Sequence, residues 1–342
     1  MDTIEKIYKE IGESDYNQDV SDWLNSGYLP LNKAMGGRYD KGFPVGRIIE
    51  IYGGPSAGKT LLATSACIET QKRGGLAIFL DHEHAFSISR AIDLGLQNDR
   101  NNWIYKQPNT AEESFKIIEF VSKTIRAEHP DKMVTIVIDS VASMVTQAEF
   151  DTEYGDENMK TRLSLPVLMS TSLKKLAPIL SKTNTTLIFL NQTRDNPGVM
   201  FGEKTSTPGG NSLKFYASLR IKVSKGAKVK EGDDVVGENV TATIVKNKVY
   251  VPYKTANYIT SMTHGINVDR SHIEALKELG RLGDTKGYLE FNGKKYRLKE
   301  LEQLMGSDSS IKSEILALFE DSSTDKLDNQ NALANLAQAI GG

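Results

Sequence analysis

Residues 79–84 read FLDHEH and place two carboxylates and two imidazoles within six positions. On a strand, His82 and His84 would share one face, a spacing that could serve a metal ion. Alternatively, Asp81 or Glu83 could act as the acid or base of a reaction on another substrate. No further cluster of histidine or cysteine follows in the sequence, and this disfavours zinc. The other motifs therefore have to identify the chemistry.

A phosphate-binding motif lies upstream in residues 53–60, GGPSAGKT. It matches G-x-x-x-x-G-K-S/T, and it follows a strand-like run and opens a helical segment, which is the context that such a loop requires. The glycines allow backbone amides to face phosphate oxygens at the helix N-terminus. Lys59 would reach the β- and γ-phosphates, and Thr60 would hold Mg²⁺. The expected nucleotide contacts are Gly53, Gly54, Pro55, Ser56, Ala57, Gly58, Lys59 and Thr60.

Asp139 ends the apolar run VTIVID and stands where a second strand would present an acid to the metal shell. Beside a phosphate loop, this placement indicates a role in holding Mg²⁺ rather than an ordinary cap. The chain lacks the N-K-x-D signature of guanine binding and an LSGGQ-like signature. A GTPase of the usual kind and an ABC ATPase are therefore disfavoured.

The chain has 342 residues, with 42 Lys and Arg against 44 Asp and Glu, so its formal charge is -2. This length suits one large domain and a smaller one, and the balanced charge leaves any nucleic-acid site to local basic patches. The single cysteine, Cys67, excludes a disulfide within the chain and indicates a reducing compartment. Because the sequence has no apolar run of membrane-spanning length and begins with a polar segment, we expect a cytoplasmic location and no membrane partner.

The candidate residues need a scaffold, and apolar runs that alternate with helical segments supply one. Four runs rich in Ile, Val and Leu predict buried strands at 48–52, 76–80, 134–139 and 185–191. Helices are predicted between them at 59–73, 112–128 and about 162–182. This alternation predicts an α/β fold with a mostly parallel central sheet covered by helices. Three later runs are expected to extend the sheet in antiparallel fashion, at 218–224, 239–247 and 257–262.

Smaller units are predicted at the two ends. A short amphipathic N-terminal helix must dock on its own domain or on a neighbouring subunit through Ile4, Ile7, Tyr8 and Ile11. From about residue 270, a helix, the hairpin-like GYLEFNGKKYRL and further helix predict a small α+β domain. The expected order is an N-terminal helix with a linker, the core, the small domain and a polar tail, at 1–30, 31–268, 269–320 and 321–342.

Six stretches together identify one protein family with high specificity, because all of them occur in one order along the chain. They are EIYGGPSAGKT, FLDHEHA, VIDSVASM, LIFLNQTR, GVMFGEKTSTPGGNSLKFYAS and KNKVYVPYK. From about residue 30 to about residue 300, the chain resembles the RecA family of bacterial homologous recombinases and their phage-encoded relatives. The resemblance implies a RecA-like core that binds ATP and Mg²⁺ between adjacent protomers of a helical filament on single-stranded DNA. It also implies pairing with a homologous double-stranded DNA and strand exchange, in recombination and repair. It further implies that the N-terminal helix is an oligomerisation helix, which packs on the neighbouring protomer.

The resemblance assigns catalytic roles as well. Glu83 matches the glutamate that activates the attacking water, and Gln192 matches the glutamine that senses the γ-phosphate and orders a DNA loop. Lys246 and Lys248 match two lysines that reach the neighbouring protomer's ATP and stabilise charge there, and Lys59 completes the set. With these roles assigned, Asp81 and His84 are expected to brace the turn, and His82 has no assigned role.

Two DNA loops are implied near residues 150–162 and 193–210, where the family lines the filament axis. Such loops hold phosphates with backbone amides and a few basic groups and wedge apolar residues between bases, which suits a chain of near-zero net charge. Taken singly, each candidate residue is equally compatible with an ordinary surface loop. The candidates are Met159, Arg162, Arg194, Val199, Phe201, Gly209, Gly210 and Asn211.

Some positions depart from the family's pattern. Ser87, Arg90 and Met262 replace residues that usually surround the adenine, so we expect an altered base pocket in which Arg90 stacks on the base. Thr241 and Thr243 replace basic residues that are thought to hold the second DNA. Four basic residues of the small domain could gather duplex DNA or form only a solvated charged hairpin, namely Lys294, Lys295, Arg297 and Lys299.

Two alternatives to a filament-forming, DNA-dependent ATPase remain open at this point. A RecA-like hexameric motor, such as a helicase, would use the same core, but the KNK motif, the GVMFG…GGN loop and the C-terminal domain favour the recombinase. A non-hydrolysing scaffold would keep ATP only as a clamp on DNA. DNA-stimulated phosphate release separates this last alternative from the other two.

Overall fold

The computed structural model describes residues 3–11, 19–153, 164–195, 205–261, 265–285 and 287–319. The strands are β1 (Trp23–Leu24), β2 (Phe43–Pro44), β3 (Ile48–Gly53), β4 (Leu76–Asp81), β5 (Trp103–Lys106), β6 (Val134–Asp139), β7 (Thr185–Gln192), β8 (Arg194–Asp195), β9 (Thr205–Ser206), β10 (Leu219–Glu231), β11 (Asp234–Asn247), β12 (Thr255–Ser261), β13 (Gly265–Ile266), β14 (Gly283–Thr285), β15 (Tyr288–Phe291) and β16 (Lys294–Tyr296). The α-helices are α1 (Thr3–Ile11), α2 (Leu29–Gly36), α3 (Lys59–Lys72), α4 (Ile88–Asp93), α5 (Ala111–Glu128), α6 (Gln147–Phe150), α7 (Ser164–Ser181), α8 (Gly210–Tyr216), α9 (Val268–Glu278), α10 (Leu298–Ser307) and α11 (Ser309–Ala317).

Within the described ranges, the centre of the protein is a nine-stranded sheet in the order β13-β12-β11-β10-β3-β7-β6-β4-β5. All pairs from β10 to β5 are parallel, whereas β11, β12 and β13 continue the sheet in antiparallel pairs. The mostly parallel α/β fold predicted from the sequence is confirmed. The predicted antiparallel extension is confirmed for the pairs β10–β11 and β11–β12. It is wrong only for the junction with the central strands, because β10, which the run at 218–224 begins, pairs in parallel with β3.

Successive residues of a strand point to opposite sides of the sheet, so the buried apolar strands present apolar side chains on both faces. Helices cover both of these faces. On one face, Ile49 and Ile51 of β3 share a buried cluster with Leu62 of α3. On the other face, Ile136 of β6 shares a cluster with Ile118 of α5. Truncating such a buried side chain to alanine costs about 2–5 kcal/mol, so the two clusters hold the central strands, and therefore the residues at their ends, in fixed positions.

The ends of the described chain form smaller units. The predicted N-terminal helix is present as α1, in which Ile4 is exposed. The side chains of Ile7, Tyr8 and Ile11 lie outside the described part of the structure, so docking on a neighbouring protomer stays a prediction.

The predicted hairpin near residue 290 is also present, because β15 and β16 pair in antiparallel fashion. A separate buried cluster joins α9 to this hairpin and to α10 and α11, through residues that include Ile273, Leu289, Leu301 and Ile315. The domain boundaries remain predictions, and the tail at 321–342 lies outside the described residues. None of the helices in the described ranges combines the length and apolar character that a membrane crossing requires.

Candidate active site

The phosphate loop joins β3 to α3. Gly53 ends β3 so close to β10 that a Cβ atom would lie 2.1 Å from the carbonyl oxygen of Val223. Gly58 caps α3 with a φ of 92°, a left-handed conformation that glycine adopts without strain. The Nζ atom of Lys59 donates to the carbonyl oxygens of Gly53 at 3.3 Å and Gly54 at 2.8 Å, so the loop closes around the ammonium group. Burial lowers the pKa of Lys59, and the nearby carboxylates of Asp139 and Glu83 oppose this shift.

Four adjacent parallel strands bring the remaining site residues to the same edge of the sheet. In the strand register, Gly53 of β3 lies opposite Gln192 of β7, and Asp81 of β4 lies opposite Asp139 of β6. Because β7 and β6 are neighbours, these carboxyl-terminal strand ends form one continuous row. A ligand site at the carboxyl ends of the strands is typical of open α/β sheets.

Asp139 and Thr60 form the candidate metal-binding pair. The Thr60 hydroxyl donates to Oδ2 of Asp139 at 3.0 Å, and Asp139 is 7% exposed. Burial, with the negative charges of Glu83 and Asp81, raises the pKa of Asp139 to about 7, while the Thr60 hydrogen bond and Lys59 act in the opposite direction. A hydroxyl oxygen and a carboxylate oxygen in a region of excess negative charge fit a hard divalent cation such as Mg²⁺.

Glu83 is held by two side chains that come from the ends of neighbouring strands. Ser140 donates its hydroxyl to Oε1 of Glu83 at 2.5 Å, and the Nε2 atom of Gln192 donates to the same oxygen at 2.7 Å. Ser140 directly follows Asp139, so the end of β6 carries both the metal-binding candidate and one of the two groups that hold the base candidate. No motif in the sequence singles out Ser140, and its position directly after Asp139 is the sequence signal that could have identified it.

The FLDHEH turn is braced mainly by Asp81, which is fully buried. Its Oδ1 atom accepts from the backbone amides of Glu83 at 3.0 Å and His84 at 2.9 Å. Its Oδ2 atom accepts from the amide of Phe86 at 3.1 Å and from the Tyr105 hydroxyl at 2.9 Å. Asp81 therefore orients the backbone that carries Glu83, in agreement with the expectation for this residue.

His82 has a structural environment of its own. Its backbone amide donates to the Asp139 carbonyl at 2.6 Å, and its Nε2 atom is hydrogen-bonded with the Ser114 hydroxyl of α5 at 2.8 Å. Burial lowers the pKa of His82 to about 4, so the imidazole is neutral at pH 7. In the part of the chain that the structure describes, no group of three or more His, Cys, Asp or Glu side chains is arranged to hold a metal ion.

Lys246 and Lys248 lie near the opposite end of the strands from the phosphate loop. Lys246 donates to the backbone carbonyls of Lys214 at 2.5 Å and Phe215 at 2.8 Å, and Lys248 donates to that of Phe215 at 3.0 Å. Lys246 pairs with Arg220 on β10, whereas Val223 of β10 pairs with Gly53. These two β10 residues are about 10 Å apart along the strand. The structure therefore does not bring the two lysines to the phosphate loop of their own chain.

Lys246 is also electrostatically unusual. Burial and the positive charges of Lys248 and Arg220 lower its pKa to about 8, and Glu50 opposes this shift. The side chain of Phe215, over whose ring Lys248 lies at 5.5 Å, is 68% exposed. This cluster of lysines and an exposed aromatic ring is thus a surface feature distinct from the phosphate loop.

The base-pocket prediction falls partly on undescribed residues. Arg90 is exposed on α4, and its backbone amide donates to the Ser87 hydroxyl at 3.3 Å. Met262 lies outside the described ranges. Stacking of Arg90 on a base therefore stays a prediction.

Some of the DNA-binding candidates lie within the described residues and the others lie outside them. Arg194 is exposed on β8, which pairs with β9 through Arg194 and Ser206. Gly209 and Gly210 have φ values of 89° and 73° and begin α8, and Asn211 is exposed in the first turn. Four further candidates lie outside the described residues, namely Met159, Arg162, Val199 and Phe201.

Packing accounts for the two glycines without reference to DNA. A Cβ atom on Gly209 would lie 2.8 Å from Cγ1 of Val141, and one on Gly210 would lie 3.2 Å from Cβ of Pro166. The backbone conformation and close packing therefore give this pair a structural role in the turn, and a contact with DNA remains a separate prediction.

The fold and this row of strand ends define a P-loop protein with a RecA-like α/β core. The family model described as the RecA N-terminal domain matches residues 3–267. Protein RecA of Bacteroides thetaiotaomicron is 40% identical over 299 residues, which cover 86% of this chain and 86% of that protein. Protein RecA of Desulforapulum autotrophicum is 37% identical over 80% of this chain and 74% of its own, and that of Leptospira biflexa is 41% identical over 80% and 67%.

The chain belongs to the RecA family. Its function is therefore that of a recombinase in DNA strand exchange, and the hexameric-motor and scaffold alternatives are not favoured. The matches extend over most of the chain and include the phosphate loop and the row of strand ends.

Proposed function

We propose that this site hydrolyses ATP when the protein is assembled on single-stranded DNA, with Glu83 as the general base. The observation that carries the proposal is the placement of Glu83 between Ser140 and Gln192, next to the Thr60–Asp139 pair. In this placement the base is tied both to the candidate metal site and to the strand that leads into the second DNA loop. Hydrolysis and DNA binding are thereby linked through one side chain.

The proton transfer can be assigned to a particular oxygen. Among the described residues, both hydrogen bonds that the Glu83 carboxylate accepts go to Oε1. Oε2 is therefore the atom that takes a proton from the attacking water, while Ser140 and Gln192 keep the carboxylate in place. A positioned base of this kind contributes about 10²- to 10⁴-fold to a rate.

The phosphate groups are held by the loop. The loop leads into the start of α3, where free backbone amides and the helix dipole favour an anion. The Lys59 ammonium exchanges its bonds to the Gly53 and Gly54 carbonyls for phosphate oxygens. Thr60 and Asp139 would hold Mg²⁺, which would neutralise phosphate charge.

Lys246 and Lys248 act on the ATP of a neighbouring copy. Their distance from the phosphate loop of their own chain supports an assembly in which unlike surfaces meet. Such a head-to-tail contact generates an open helical filament when its rotation does not close. We place the exposed Phe215, which both lysines contact, at this junction.

DNA lies along the segments that join β8, β9 and α8. Arg194 supplies a positive charge, and the turn at Gly209, Gly210 and Asn211, of which Asn211 is exposed, supplies backbone amides for phosphate groups. The first strand is single-stranded, and the homologous partner is double-stranded DNA.

Two measurements test the proposal together. Phosphate release from ATP should rise on addition of single-stranded oligo(dT), and electron micrographs should show helical filaments on that DNA. Closed rings would support the motor, and DNA binding without hydrolysis would support the scaffold. A D-loop assay with ATP then tests homologous pairing itself.

A further inference from the structure

Asn191 lies in the core of the sheet, directly before Gln192, and is fully buried. Its Nδ2 atom donates to Oε1 of Glu50 at 3.0 Å and to the carbonyl oxygen of Pro208 at 3.1 Å. Its Oδ1 atom accepts from the backbone amide of Gln192 at 3.0 Å. An asparagine amide offers two donor hydrogens and one acceptor oxygen, and all three functions are used here.

Glu50 is itself fixed by a buried ion pair. The Nε atom of Arg220 donates to Oε2 of Glu50 at 2.5 Å, Glu50 is fully buried and Arg220 is 8% exposed. The Arg220 guanidinium also lies 4.7 Å from the ring centroid of Tyr52. Replacing a buried ion pair by apolar residues often costs no stability, so stability alone does not explain why this pair is present. Its geometry supplies a reason, because the second carboxylate oxygen of Glu50 orients the Asn191 amide.

Pro208 connects this network to the candidate DNA segment. It lies between β9 and the left-handed pair Gly209–Gly210 that begins α8. A Cβ atom on Gly209 would lie 2.8 Å from Cγ1 of Val141, so the turn lies close to the residue that follows Ser140. A displacement of the segment is therefore transmitted to the Pro208 carbonyl and so to Asn191.

We infer that Asn191 is a positioning residue that couples the segment 205–211 to Gln192 and Glu83. Movement of Pro208 changes the orientation of the Asn191 amide, and this amide holds the backbone from which Gln192 reaches the base. Glu50 and Arg220 define the reference orientation. The inference rests on the proposed function, because it assumes that Glu83 is the base and that 205–211 follows the DNA.

An exchange of donor and acceptor isolates the contact to Pro208. In the double variant Asn191→Asp with Glu50→Gln, the new glutamine amide donates to the new aspartate, and the aspartate still accepts from the Gln192 amide. Arg220 keeps an acceptor, and the total charge is unchanged. The Pro208 carbonyl alone loses its donor. If Asn191 had a merely structural role, this double variant would keep the properties of the wild type.

The readout is ATP hydrolysis with and without oligo(dT), together with the KM for ATP and the Tm. We expect the DNA-stimulated rate to fall about tenfold, which is a usual size for coupling between sites. The basal rate and the KM for ATP should stay within about twofold of the wild type, because the coupling acts only when DNA is bound. The matched control is Gln71→Leu, which removes a buried amide that bonds to the Gln97 carbonyl at 2.7 Å, away from this network. It should leave stimulation unchanged.

Full stimulation in the exchanged variant, or an equal loss of basal and stimulated rates, would overturn the inference. If the wild type itself shows no stimulation, the proposed function fails first, and the two failures are thus distinguishable. If the double variant does not fold, hydrogen–deuterium exchange of the wild type tests the coupling instead. With a non-hydrolysable ATP analogue, oligo(dT) should slow exchange both in residues 205–211 and at the Gln192 amide. Protection of 205–211 alone would contradict the coupling.

Discussion

The Nε2 atom of Gln192 lies 2.7 Å from Oε1 of Glu83, although 109 positions separate the two residues in the sequence. One residue ends β7 and the other follows β4, and the strand order places β6 between them. Ser140, at the end of β6, donates to the same oxygen. The base is therefore held by both strands that lie between it and the phosphate loop.

Replacement of Gln192 by alanine should reduce DNA-stimulated ATP hydrolysis about 10- to 100-fold, because Glu83 loses one of its two positioning bonds. The DNA-independent rate should fall less, because Ser140 still holds the carboxylate. Phosphate release with and without oligo(dT) measures both rates. Gln107→Ala is the control, since Gln107 is an exposed amide that bonds to the Tyr105 hydroxyl. Equal stimulation in the Gln192 variant and the wild type would remove Gln192 from the mechanism.

The raised pKa of Asp139 predicts a particular dependence of stability on pH. Its pKa is 3.8 in a model peptide and about 7 in the folded chain, so between these values the folded state binds more protons than the unfolded state. In the absence of nucleotide and Mg²⁺, this contribution to the free energy of unfolding decreases as the pH rises through 7. Asp139→Asn should abolish it. The wild type should lose about 1 kcal/mol relative to the variant between about pH 6.5 and pH 8.

Urea unfolding at the two pH values provides this comparison. The range excludes most of the opposing effect of His82 and His272, whose pKa values are lowered to about 4 by burial and which favour unfolding as the pH falls below 6.5. An unchanged difference between wild type and variant at the two pH values would show that Asp139 ionises normally in the folded chain.

Much of this architecture follows from the sequence, because long apolar runs and the phosphate motif are local signals. The edge strand β5 gave a weak signal, since it has four residues of alternating burial. The parallel pairing of β10 could not be inferred from its own residues, because antiparallel and parallel neighbours place similar demands on a strand. The bonds from Ser140 to Glu83, from His82 to Ser114 and from Asn191 to Pro208 join distant segments, and only the strand order brings those atoms together.

Mixed assemblies test whether Lys248 acts on a neighbouring copy. Lys248→Ala and Glu83→Gln should each impair hydrolysis when alone. In an equal mixture, about a quarter of the head-to-tail contacts pair an intact Glu83 with an intact Lys248, so activity should partly return. Lys59→Ala mixed with Glu83→Gln is the control, because both residues belong to the same chain's site. Recovery in neither mixture would argue against action across the interface.

Gly209→Ala should destabilise the protein through two separable effects. The left-handed backbone costs an alanine about 1 kcal/mol, and the contact with Val141 adds overpacking of about 1–3 kcal/mol. Gly232→Ala is the matched control, because Gly232 has a φ of 61° and open space where its Cβ would lie. The difference between the two variants in urea unfolding measures the Val141 contact. Equal losses would show that the turn can move to accommodate the methyl group.

The central claim is that Glu83 is the base of a DNA-dependent ATP hydrolysis. Single-turnover hydrolysis of ATP on saturating oligo(dT) tests it with Glu83→Gln, which keeps the size of the side chain and removes its basicity. The rate should fall about 10²- to 10⁴-fold, while binding of oligo(dT) in the presence of ATP should remain at the level of the wild type. Hydrolysis by Glu83→Gln at the wild-type rate would contradict the account.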